Sequence, residues 1–181
     1  MKKDNFKSTA GFSLVEILIV ATLTAVALAV VMPNMTTFVY RQRLNTANRE
    51  IYQALRSTQA EAYRRKETWQ LSLRNSSGLL QWAKHHDSEP VNNVAWHKFE
   101  QNVRLDETNT RTVESGGGVW KFRFDHNGHL LDPNNQMQSS IVPQVTLRLS
   151  SNVGDDNFAR RCVFIETIIG AMRVEKDQNC R

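Results

Sequence analysis

Residues 12–32 read FSLVEILIVATLTAVALAVVM, an apolar run that contains one charge, Glu16. At about 1.5 Å rise per residue, a helix over this stretch reaches roughly 30 Å, enough to cross the hydrocarbon core of a bilayer. Lys2, Lys3 and Lys7 precede the run against Asp4, which favours an N-terminus held in the cytoplasm; Arg41 and Arg43 beyond it weaken that contrast. The segment Val31-Met32-Pro33-Asn34 lacks the small-residue pattern of a signal-peptidase site. An ordinary anchor would not carry a carboxylate early in its apolar run, where insertion costs about 2.5–3.5 kcal/mol. Glu16 therefore needs a partner.

The rest of the composition sets outer bounds. The chain has 181 residues, with 23 Lys+Arg against 18 Asp+Glu, a formal charge of +5. That length allows one domain of ordinary size. With 40% hydrophobic and 23% charged residues, the whole chain is neither disordered nor a multi-span membrane protein. Two cysteines are too few for a disulfide scaffold or a four-cysteine zinc site. The modest positive charge permits an anionic partner without requiring one.

The hexapeptide Gly11-Phe12-Ser13-Leu14-Val15-Glu16 resembles the processing site of type IV pilins and type II secretion pseudopilins. The basic leader, the aromatic after Gly11, the Glu at the fifth position after it and Pro33 in the helix all match that family. The resemblance implies that residues 1–11 are a leader removed by prepilin peptidase between Gly11 and Phe12, with methylation of the new amine on Phe12. It implies that residues 12–33 are a transmembrane and assembly helix. Glu16 would pair there with the N-terminal amine of a neighbouring subunit, a pairing that serves register because buried ion pairs add little net stability. Pro33 removes a backbone donor and is expected to kink the helix or let it melt locally, or simply to bend it at the membrane surface.

Beyond Pro33 the helical period continues. Tyr40, Leu44, Ala47, Ile51, Leu55, Thr58 and Ala62 recur at spacings of three and four and form one mostly apolar stripe. Arg41, Arg43, Arg49, Glu50, Arg56, Glu61, Arg64, Arg65 and Lys66 lie opposite as a solvated face. One helix is expected from Phe12 to Lys66, with residues 34–66 as its amphipathic continuation.

After Lys66 the period becomes two. Strands are expected at Trp69–Arg74, Leu79–Trp82, Val94–Phe99, Val103–Leu105, Val119–Phe124, His129–Leu131, Ile141–Leu149, Cys162–Ile169 and Ala171–Glu175. Turns fall at Asn75–Gly78, Asn127-Gly128 and Gly170. The segments His85–Asn93, Asp106–Gly118 and Leu131–Ser140 read as surface loops. Residues 67–181 are thus a β-rich globular domain. The fold class is α+β, a long N-terminal helix with a membrane-spanning first half, packed on antiparallel sheets.

This order narrows the resemblance. The helical segment from Arg56 to Ala62, the Phe122-x-Phe124-x-x-x-Gly128 pattern and a closing strand pair that turns at a glycine near a cysteine are similar to the minor pilin subgroup of the type II secretion H component and FimT. The function implied is that of a minor pilin, a structural or priming subunit of a type IV pilus. A type II secretion pseudopilin of the H type and a DNA-binding minor pilin serving DNA uptake are the alternatives. The implied partners are other pilins or pseudopilins, prepilin peptidase and the bacterial inner membrane, crossed once with the C-terminal domain in the periplasm before filament entry.

Cys162 and Cys180 would then lie where disulfides persist, and a bond between them would close a loop of about 19 residues at roughly 3 kcal/mol. A metal pair or nucleophile is the other reading of two cysteines, but no histidine is near them. His85-His86-Asp87 and His126-x-x-His129 are the metal-like groupings; His126 and His129 flank the expected Asn-Gly turn and point to opposite sides of a hairpin, so a three-ligand site would need a third group from far away and no metal is expected. Gly116–Gly118 lacks the Lys and helix of a phosphate loop and reads as a flexible loop. No nucleophile, base and orienter set stands out, so neither enzyme activity nor a cofactor is expected. DNA binding would rest on Arg160, Arg161, Arg173, Lys176 and Arg181. The family's DNA-binding segment Gly-Arg-x-Arg is here Gly170-Ala171-Met172-Arg173, which retains one of the two arginines.

Overall fold

The computed structural model describes residues 13–100, 102–112, 114–137, 142–150, 159–167 and 169–180, with side chains at 30–37 left out of that description. Gly11, Phe12 and Arg181, three of the expected site residues, lie outside the described residues. Helix α1 spans Leu14–Arg65, and its backbone is helical through Pro33. The chain divides into two compact units, residues 1–39 and 40–181. Among the described residues, no helix is long and apolar enough to cross a membrane. The expected span, residues 12–33, starts and ends outside the residues whose side chains are described.

In the first unit, α1 carries Leu14, Val15, Ile17, Leu18, Ile19, Val20, Leu23, Val26 and Leu28 exposed. Thr22 and Thr24 turn their hydroxyls back onto helix carbonyls, Thr22 onto Ile19 and Thr24 onto Val20 and Ala21. This leaves the helix surface with few open polar groups.

In the second unit the amphipathic stripe is buried. Leu44, Ile51, Leu55, Thr58 and Ala62 are wholly covered, whereas Tyr40, expected to begin the stripe, is exposed. The buried Thr58 hydroxyl donates to the Ala54 carbonyl at 2.7 Å, so a polar residue sits in the stripe at little cost. The helix ends one residue before Lys66, which adopts φ 60°, while the Glu67 amide reaches back to the Ala62 carbonyl at 3.3 Å. That is a Schellman-type stop made without glycine.

Among the described residues, ten strands form two antiparallel sheets. The first holds β1 (Trp69–Ser76), β2 (Leu79–His86), β3 (His97–Lys98), β5 (Glu114–Gly116), β6 (Val119–Phe124) and β7 (Leu130–Leu131), in the order β3-β2-β1-β6-β5, with β7 also paired to β6. The second holds β4 (Val103–Leu105), β8 (Gln144–Leu149), β9 (Arg160–Ile165) and β10 (Met172–Lys176), in the order β10-β9-β8-β4. Both sheets and the α1 stripe share one core. Leu71, Leu73, Phe122 and Phe124 of the first sheet and Leu105, Val145, Leu147 and Ile165 of the second close over Leu44, Ile51 and Leu55.

Several expected boundaries move. β1 and β2 are longer than expected, because Ser77 and Gly78 at φ 50° and 75° make a two-residue turn whose twist matches the flanking strands. His85 and His86, expected in a loop, are the last residues of β2 and pair with Gln70 and Trp69. The expected loop Asp106–Gly118 contains β5, formed because Gly117 and Gly118 turn the chain back so that Gly116 faces Val119. The glycine run is therefore a hairpin turn rather than a flexible loop. β9 ends at Ile165, before the expected Ile169, and β10 begins after Ala171.

Candidate functional site

Glu16 lies in the first turn of α1, with Ile17 and Val20 beside it as exposed apolar residues. It is the one acid on an apolar helical surface between residues 13 and 29.

At the other end of the chain, Cys162 of β9 and Cys180 of the 3-10 turn Asp177–Cys180 form a disulfide, S–S 2.13 Å and Cα–Cα 5.6 Å. Both cysteines are buried, and the buried Gln144 side chain donates to the Cys180 carbonyl at 3.1 Å. The C-terminal turn is thus tied to the second sheet by the disulfide and by hydrogen bonds from Gln144, Arg161 and the Arg160 N–H, the last two to Asp177.

The expected basic cluster is assembled but largely spent on acids. Arg160 Nε donates to Asp106 Oδ2 at 3.0 Å, and Asp106 is buried. Arg161 donates to Asn45 Oδ1 at 2.6 Å and to Asp177 Oδ1 at 2.8 Å. Arg173 bonds Glu166 at 2.5 Å and also Glu175. Those two carboxylates, Glu166 first, raise the Arg173 pKa above its ordinary value. The bonds from Asn179 and then Arg173 hold the Glu175 carboxyl below the usual range. Lys176 is exposed, opposite Arg161 across β9–β10. A carboxylate within hydrogen-bonding distance cancels the charge that a phosphate backbone would need.

The metal-like groupings resolve into structural bonds. His85 is buried in β2 and contacts Gln70 Nε2 at 3.2 Å, Ser72 Oγ at 3.0 Å and the His86 carbonyl at 3.0 Å. Its burial lowers its pKa, with the His86 carbonyl, Glu89 and Asp87 acting in opposition. Asp87 accepts two bonds from the buried Arg123, at 2.8 and 2.6 Å. Arg123 further donates to Asn135 Oδ1 at 2.6 Å and the Asp132 carbonyl at 3.2 Å, fixing the segments after β2 and β7. His129 binds Asp125 at 3.1 Å, and His126 is exposed. Among the described residues, no group of three potential ligands could hold a metal ion.

Gln59 is a residue that pattern reading passed over. Its Nε2 lies 2.9 Å from the Gly128 carbonyl, 3.0 Å from that of Ile169 and 3.4 Å from that of Gly170. One helical amide therefore holds a turn from each sheet. Gly128 and Gly170 have φ 79° and 73°, and a Cβ on Gly170 would lie 2.3 Å from Gln59 Nε2 and 2.8 Å from the Gly128 oxygen. Glycine is required there by conformation and by space alike.

On the exposed helix face, Glu61 is bound by Arg64 and Arg65, which lower its pKa to about 2, Arg64 being the larger influence. Glu50 accepts the Trp82 indole N–H at 2.8 Å.

A helix with one buried stripe beneath two antiparallel sheets defines the α+β class of this chain. No protein-family model matches the sequence, and no curated protein matches it either. Among solved structures the fold is similar to that of the minor pseudopilin EpsH from the type 2 secretion system of Vibrio cholerae. The TM-score is 0.45 at 10% sequence identity, covering 74% of this chain and 96% of that one.

Proposed function

We propose that the chain is a non-catalytic minor pilin, a structural or priming subunit of a type IV pilus. In this reading residues 12–33 hold it in the bacterial inner membrane with the C-terminal domain in the periplasm, and prepilin peptidase cleaves between Gly11 and Phe12. Pro33 bends the helix near the membrane surface, and the disulfide suits an oxidising compartment. The observation that carries the reading is that Glu16 stands without a partner among the described residues, on an apolar helix surface. A lone carboxylate in the first turn of an exposed apolar helix directly follows the Gly11-Phe12 motif. A neighbouring subunit that supplies both an apolar helix and an amine would cover that surface and neutralise that charge. The same features serve a type II secretion pseudopilin, so the filament that incorporates the chain distinguishes the two. A filament role is favoured over DNA uptake because Arg160, Arg161 and Arg173 are committed to carboxylates.

Mass spectrometry of protein from its native host should find a chain that starts at methylated Phe12. A chain retaining residues 1–11, or one cut after residue 30, overturns the reading. Glu16→Ala should be processed normally yet be absent from filament fractions; normal incorporation would show that Glu16 has no pairing role.

A further inference from the structure

A cavity of about 400 Å³ opens in the second unit between α1 and the β9–β10 edge. Its helical wall is Gln42, Asn45, Thr46 and Arg49, spaced as one helix face, with Asn48 at its margin; Arg161, Glu175 and Lys176 form the other wall. Asn48 is 3% exposed, and its amide oxygen has no hydrogen-bond partner. Arg49 and Lys176 have no carboxylate within ion-pair distance among the described residues, unlike Arg160, Arg161 and Arg173. The one acid in the wall, Glu175, is already held by Arg173 and Asn179.

From this arrangement we infer that the cavity binds an acidic peptide segment, with a side-chain or terminal carboxylate between Arg49 and Lys176. The neutral groups select peptide over nucleic acid. Gln42 and Asn45 carry amides that both donate and accept, and a peptide backbone supplies both N–H and C=O beside its carboxylates. Glu175 in the wall also opposes a continuous track of phosphates but tolerates one localised anion. Two cations about one cavity suit a carboxylate, which each can meet by a charge-assisted hydrogen bond. The site would bind such a peptide whether or not the chain enters a filament.

The test is fluorescence anisotropy on the full chain in detergent, with fluorescein-labelled tetraglutamate, tetraglutamine and duplex DNA as probes. Tetraglutamate should bind saturably and tetraglutamine should not. Arg49→Gln and Lys176→Gln should each weaken binding about tenfold, the loss of one charge-assisted bond. Arg111→Gln, which removes the same charge from an exposed site outside the cavity, should leave affinity unchanged. In the wild-type chain, tetraglutamate should also protect Lys176 from acetylation, read by mass spectrometry, which keeps the test independent of whether a variant folds. No saturable binding, equal affinity in all three variants, unprotected Lys176, or tighter binding of duplex DNA overturns the inference.

Discussion

The two halves of α1 solve opposite problems with similar residues. Between Leu14 and Leu28 the large apolar side chains are exposed, and the one charge, Glu16, has no partner among the described residues. Between Leu44 and Ala62 the apolar stripe is covered by two sheets, and a polar member such as Thr58 is satisfied within the helix. Helical propensity does not distinguish the halves; what covers them does. The second half draws its stability from this chain, and the first must draw it from another medium or another molecule.

The sharpest way to break this comparison is to truncate matching leucines. Leu55→Ala should lower the unfolding free energy of the β-rich unit by about 2–5 kcal/mol, the cost of a cavity in a packed core. Leu18→Ala should leave that value unchanged. Urea titration of the full chain, followed by tryptophan fluorescence, reads both. Equal losses would mean that the first half contributes to the same cooperative unit.

A second substitution tests whether the covering layer depends on its polar fastenings. Arg123→Ala strips Asp87, Asn135 and the Asp132 carbonyl of their common donor. It should cost about 1.5–3 kcal/mol, the range for hydrogen bonds that involve a charged group. An unchanged urea midpoint would show that the apolar core alone holds the sheet.

The smallest expected effect is a slope in pH. Burial depresses the His85 pKa below its ordinary value near 6.5. The unfolded chain therefore takes up a proton at a higher pH than the folded one. This contribution to stability is complete above about pH 6.5 and declines as pH falls from there toward the folded-state pKa. The melting temperature should drop between about pH 7.5 and 5.5, and His85→Gln should flatten part of that drop. Identical slopes in both proteins would remove His85 as the source.

How much of this was legible in the sequence depended on the range of the causes. The alternation at Val119–Phe124 reports strand β6 at those same residues, because a pleated, half-buried strand imprints its period locally. The stripe from Leu44 to Ala62 is legible for the same reason. Strand β5 is not, since Glu114, Ser115 and Gly116 have little intrinsic strand preference and are held by pairing with β6. Asp87 read as part of a histidine-rich grouping, yet its partner is Arg123 on another strand. The basic cluster was legible as positions but not as charge, because the acids that neutralise it include Asp106, brought from another strand pair by the second sheet. Local patterns name elements; long-range polar partners emerge only from the fold.

Gln59 carries a consequence for how this sequence can drift over generations. Its amide and the two glycines it meets, Gly128 and Gly170, come from three separate stretches of chain, yet a side chain at Gly170 meets the other two and one at Gly128 meets Gln59. A longer residue at position 59 would have to displace both turns, and a side chain at position 170 would have to displace the amide. The three positions form a single heritable unit. In descendants of this chain they should be kept or exchanged together, and a lone replacement of Gly170 beside an intact Gln59 should be rare.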